Sequence, residues 1–131
     1  MAQIKIYGIK DSLNPIKGQL SDIIHSCVVD ALELPPGKRF HRFLPLDASD
    51  FYFPPDRTNA YTIIEISMFA GRSTETKKRL IKLFYARLGS ELRISPQDIE
   101  ITIFETPRHN WGIRGLPGDE LELGYSIEQM S

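Results

Sequence analysis

Apolar residues follow two rhythms along this chain, alternation at every second position and recurrence at helical spacing, and the pair of rhythms occurs twice. From Gln3 to Tyr7 the alternation places Ile4 and Ile6 on one face, which predicts a short strand ended by Gly8. Asn14-Pro15 then reads as an N-cap followed by a proline at the first helical position, where its missing N–H costs nothing. Ile16, Leu20, Ile23, Ile24, Cys27, Val28, Ala31 and Leu32 recur as one helix face, and Pro35-Pro36-Gly37 stops the helix. Arg39 to Leu46 reads as a second strand, before a loop holding Phe51, Phe53, Pro54 and Pro55.

The second half repeats the order. Tyr61 to Phe69 is a strand, and Ser73 or Thr74 caps a helix whose first turn holds Glu75, a charge that suits the helix dipole. Leu80, Leu83, Phe84, Leu88 and Leu92 form its apolar face, Ser95-Pro96 breaks it, and Ile99, Ile101 and Ile103 alternate along the next strand. A constant offset of sixty residues relates the halves: Ile4 with Ile64, Leu20 with Leu80, Ile24 with Phe84, Leu32 with Leu92, Pro36 with Pro96, Phe51 with Trp111. That register predicts an internal repeat of two β-α-β units, residues 1–57 and 58–131, within one domain. The predicted class is α/β (α+β), with one four-stranded sheet and two helices on one face. Parallel pairing inside each unit needs a crossover helix, and each unit supplies one. Ile63 points away from Ile64, Ile66 and Met68, so both sheet faces carry apolar groups and burial against further subunits is expected.

Composition narrows the classes of function. A chain of 131 residues that is 41% hydrophobic can build one real core, and a net charge of -1 gives no reason to expect nucleic acid or an acidic membrane as partner. Cys27 stands alone in an apolar pattern and reads as a small buried hydrophobe. The N-terminus has no basic region followed by an apolar run, so a cytoplasmic protein is expected. His25, His41 and His109 lack ligand spacing, which argues against a metal, and phosphate-binding and dinucleotide glycine motifs are absent.

Two motifs carry the remaining chemistry. Ala70-Gly71-Arg72-Ser73-Thr74-Glu75-Thr76-Lys77-Lys78 opens the second helix, and Asn110-Trp111-Gly112-Ile113-Arg114-Gly115 follows the last strand Ile101-Thr102-Ile103-Phe104-Glu105-Thr106. Together they resemble the tautomerase superfamily, in particular a whole subunit of the 4-oxalocrotonate tautomerase type, while the duplicated length resembles the malonate semialdehyde decarboxylase branch. The resemblance implies a trimer of β-α-β repeats acting on small keto, unsaturated or halogenated acids without metal or organic cofactor. It implies that Arg72 grips a substrate carboxylate, a task that suits a planar, bidentate guanidinium. It implies that Trp111 packs on substrate and excludes water, with Ile113 as further apolar wall; a core or subunit-contact role for Trp111 stays open. Arg114 is either a second carboxylate clamp or an interface cation.

The family's catalyst is an N-terminal proline, and here the matching position is Ala2 or Gln3. Removal of Met1 would leave Ala2 with a primary α-amine, of ordinary pKa about 7.7–8.0, which nearby cations lower toward useful base strength. Where the decarboxylase branch has a water-activating aspartate this chain has Lys38, before Arg39-Phe40, and a lysine cannot act as a carboxylate base. Lys38, Arg39 and Arg42 either make the pocket basic in compensation or form a solvated cationic strand end. Ala70 and Glu100 likewise stand where relatives carry arginines. Two functions follow as expectations. One is keto-enol proton transfer on a small α-keto or unsaturated acid. The other is a non-catalytic trimer that binds a small carboxylate.

Overall fold

Residues 2–122 are described by the structure, a computed structural model. The first half gives β1 (Ala2–Ile9), a single turn α1 (Lys10–Leu13), α2 (Lys17–Leu32) and β2 (His41–Leu46). The second gives β3 (Thr62–Phe69), α3 (Thr74–Leu92) and β4 (Ile99–Thr106), followed by a two-stranded hairpin of β5 (Gly112–Ile113) and β6 (Leu116–Pro117). The four long strands form one sheet in the order β2-β1-β3-β4. β1 runs parallel to β2, β3 parallel to β4, and the two units join antiparallel through β1 and β3. Each parallel pair is bridged by its own helix, as the crossover requirement demands.

The sixty-residue offset is visible in backbone conformation as well as in side chains. β1 and β3 share one residue-by-residue burial pattern, in which Ile4, Ile6, Ile64 and Ile66 are buried toward the helices. α2 and α3 end alike, at Glu33 and Arg93, both left-handed with φ 55°, and each is followed by a buried apolar residue, Leu34 and Ile94. Turns of 3-10 helix precede both Phe51 and Trp111. Leu20, Ile24 and Leu32 of α2 meet Leu80, Phe84 and Leu88 of α3 in the core between helices and sheet. Burying each such side chain contributes about 1.5–3 kcal/mol, which fixes the angle at which each helix leaves its strand.

Two local expectations change. Asn14-Pro15 does not start the helix: helical backbone begins at Lys10, and residues 14–16 form a 3-10 turn between α1 and α2. Pro15 lacks the N–H that an α-turn needs, so the helix tightens there rather than beginning there. Ser73 does cap α3, its hydroxyl accepting the Thr76 N–H at 3.1 Å. The sheet face away from the helices is also more polar than Ile63 alone suggests. Tyr7 donates to Glu65 at 2.6 Å with Lys5 beside the same carboxylate, although Phe104 is 48% exposed. No helix among the described residues is long and apolar enough to cross a membrane.

Candidate active site at one end of the sheet

Strand direction gathers the candidate residues at a single sheet end. β1 begins there and β3 ends there, so Ala2 lies opposite Met68, which in turn lies opposite Glu105 of β4. β2 also begins there: His41 pairs with Ile4, and the Phe40 carbonyl accepts the Ile4 N–H at 2.9 Å. Lys38 stands just before this pairing, exposed, its backbone N–H held by the Pro35 carbonyl. Arg72 follows the end of β3 after Gly71, whose φ of 130° favours glycine. Trp111 follows the end of β4. Ala2 itself is buried within the strand, and Met1, whose removal would expose its amine, lies outside the described residues.

Arg72 is the unusual member. It is 8% exposed, and one guanidinium nitrogen donates to the Leu32 carbonyl at 2.5 Å. Leu32 ends α2, where orphan carbonyls and the helix dipole place partial negative charge. Among the described residues no carboxylate pairs with this guanidinium and no second acceptor meets it. Burial pulls its pKa below the ordinary arginine value, and the charge of Glu33 partly offsets this. An uncompensated buried charge costs several kcal/mol, so the arrangement favours an incoming anion. Nearby, Lys77 is already neutralised by Glu105 at 2.6 Å.

The Trp111 hairpin is held rigidly to the sheet end. The Trp111 indole N–H donates to the Thr106 hydroxyl at 2.7 Å, and its ring meets Phe69 edge-on with centroids 5.1 Å apart. Arg108 lies over the Phe69 ring at 5.7 Å and donates to the carbonyls of Gly118 and Leu121. Arg114 and Gly115, with φ of 51° and 86°, make the reversal between β5 and β6. Gly118 is required by closeness: a Cβ there would come within 2.4 Å of the Arg108 carbonyl oxygen. A cavity of about 380 Å³ opens against this hairpin, lined by His109, Asn110, Trp111, Ile113, Leu116 and Pro117 among others. Trp111 and Ile113 therefore share a cavity, whereas Ala2, Lys38, Arg72 and Arg114 are not among its walls. Arg108, Gly118, Phe69 and Thr106 were not singled out from sequence, since only the folded-back hairpin gives them their contacts.

Beside the start of β2, His41 accepts or donates across 2.7 Å to the Ser21 hydroxyl and stands edge-on to His25. Burial, with the charge of Arg39 adding to it, lowers the His41 pKa to about 4.

A repeated β-α-β sheet with a helix-start arginine and a glycine-flanked aromatic turn defines a tautomerase-type protein, and the chain belongs to that family: the family described as tautomerase enzyme matches residues 38–114. It is similar to the probable tautomerase YusQ of Bacillus subtilis strain 168, 26% identical over 98 residues that cover 71% of this chain and 77% of that one. It is also similar to the 2-hydroxymuconate tautomerase of Comamonas testosteroni, 33% identical over 57 residues, 44% of this chain but 90% of that one. Two solved structures share the fold. A malonate semialdehyde decarboxylase gives a TM-score of 0.79 at 21% identity, covering 91% of this chain and 99% of that chain. A fused 4-OT, solved as an asymmetric trimer, gives 0.77 at 23% identity, covering 89% and 96%.

Proposed function

We propose that the protein catalyses keto-enol proton transfer on a small α-keto or unsaturated carboxylic acid, as a homotrimer. The observation that carries this reading is Arg72, a buried guanidinium at the sheet end where β1 begins, with one carbonyl partner and, among the described residues, no carboxylate in salt-bridge contact. A substrate carboxylate supplies the missing anion and is fixed by charge-assisted hydrogen bonds. The α-amine of Ala2, once Met1 is removed, moves the proton, with Arg72 and Lys38 as the cations that follow β3 and precede β2 at the same sheet end. Trp111 and Ile113 exclude water and so strengthen those interactions, and Arg114 adds a cation at the hairpin turn. The similarity to a 2-hydroxymuconate tautomerase supports the substrate class, and the trimeric fused 4-OT supports the assembly.

Ketonisation of phenylenolpyruvate or 2-hydroxymuconate by the purified protein, with intact mass to identify the first residue, tests the proposal. Arg72→Lys is expected to raise KM at least tenfold, since a point charge replaces a bidentate fork. Arg72→Ala is expected to do the same with a lower melting temperature, because the Leu32 carbonyl loses its donor. Unchanged kinetics in both variants would remove the reading. A second reading rests on Ala2, a non-proline residue buried in the strand: a trimer that binds small carboxylates without turnover. Saturable binding of fumarate with no ketonisation would select it.

A further inference from the structure

The antiparallel joint between the two units sends their equivalent loops to opposite ends of one sheet. Phe51 and Trp111 hold the same place in the sixty-residue repeat, yet β2 ends where β1 ends, so the Phe51 loop lies at the far end from the Trp111 hairpin. The two loops have opposite shapes. After Trp111 the chain encloses the hairpin cavity of about 380 Å³, walled by the apolar Trp111, Ile113 and Leu116 and edged by the exposed His109 and Asn110. After Phe51 it forms a projection: Tyr52 is 89% exposed, whereas no other large apolar side chain among the described residues exceeds 48%. The projection is held firmly at its base. Phe51 and Phe53 are half-buried on either side, with ring centroids 5.4 and 5.1 Å from Tyr61 and 5.4 Å from each other. A side chain presented in this way loses little freedom when it docks.

We propose that Tyr52 of one copy docks in the hairpin cavity of the next, closing three chains into a ring. This rests on the homotrimer proposed above and names the contact that holds it. The eight residues of β1 separate the two sheet ends by about 26 Å, so knob and socket of one chain cannot meet each other. Between copies they meet head to tail, the heterologous contact from which rings are built. Tyrosine suits the hollow, since its ring lies against the apolar wall while its hydroxyl reaches the polar edge. Neither that hydroxyl nor the His109 and Asn110 side chains have a hydrogen-bond partner among the described residues. Charge agrees with this pairing. Asp50, two residues before Tyr52, and Arg114, three residues after Trp111, are both exposed and make no salt bridge among the described residues. A buried aromatic anchor of this kind carries much of an interface's energy. The cavity is thus filled by protein rather than by substrate, and Trp111 and Ile113 shut out water as parts of a closed interface.

Two measurements on the full chain test this: photo-crosslinking with p-benzoylphenylalanine in place of Tyr52, and sedimentation equilibrium of Tyr52→Ala. Irradiation is expected to link separate chains, in products of up to three, with the adduct mapped by mass spectrometry to residues 109–117. Tyr52→Ala is expected to raise the concentration at which the trimer dissociates by at least about tenfold, with an unchanged circular dichroism spectrum because the side chain is exposed in the single chain. Should that variant fail to fold, the crosslink decides by itself. A wild-type trimer whose adducts fall elsewhere, or that forms none, would overturn the docking and leave the trimer standing. A Tyr52→Ala trimer as tight as wild type would overturn Tyr52 as its anchor. Linked products longer than three chains would overturn ring closure, and a wild-type monomer would overturn both this contact and the assembly on which it rests.

Discussion

His41 sits at the seam between β2 and α2, and its ionisation sets a limit on acid stability. In the unfolded chain an imidazole titrates near its ordinary 6.5, while the folded environment holds His41 neutral down to about 4. Between those values the unfolded state binds the extra proton, so this contribution to stability is complete above pH 6.5 and is lost as pH falls toward 4. The urea midpoint is expected to drop more between pH 7 and pH 5 for wild type than for His41→Asn, whose amide offers both a donor and an acceptor in place of the ring nitrogen that bonds Ser21. Equal drops would show that His41 carries no such linkage. The same scale shows why sequence found some groups and missed others. Arg72 was legible because Gly71-Arg72-Ser73-Thr74 is a local motif. Its Leu32 partner was not, since that carbonyl lies forty positions away and meets the guanidinium only through packing.

Among elements, the helix ends carry the clearest consequence. Arg93 adopts the left-handed conformation that closes α3, with its N–H on the Gly89 carbonyl and the Ile94 N–H on that of Leu88. Glycine adopts this geometry without a Cβ penalty, so Arg93→Gly is expected to raise stability by about 0.5–1 kcal/mol, read from chemical denaturation. A destabilised variant would mean that the Arg93 side chain contributes more than its backbone costs. At the hairpin the sign is opposite. Gly118→Ala forces the Arg108 carbonyl and the Trp111 Cβ apart, and because the chain has one tryptophan, a red-shifted emission reports the displaced indole. Unshifted emission would show that the hairpin absorbs the methyl group elsewhere. Strands and helix faces were legible because burial follows period; the start of the first helix was not, because Asn-Pro is compatible both with a cap and with a 3-10 joint inside a longer helical run.

For the molecule as a whole, the sixty-residue register foretold the pseudo-symmetric sheet, whereas the polar Lys5, Glu65 and Tyr7 group on its outer face could be found only from cross-strand pairing. Sedimentation equilibrium is expected to give three times the 15.0 kDa chain mass, with Phe104→Asp shifting the population to smaller species. A wild-type monomer at micromolar concentration would remove the assembly. The bond from Arg72 to Leu32 joins the second unit to the helix end of the first. A ligand that claims this guanidinium therefore competes with a stitch between the halves. Its arrival should quicken deuterium uptake in the last turn of α2 even as the hairpin becomes better protected, so that occupancy at one end of the sheet is announced by fraying in the other repeat.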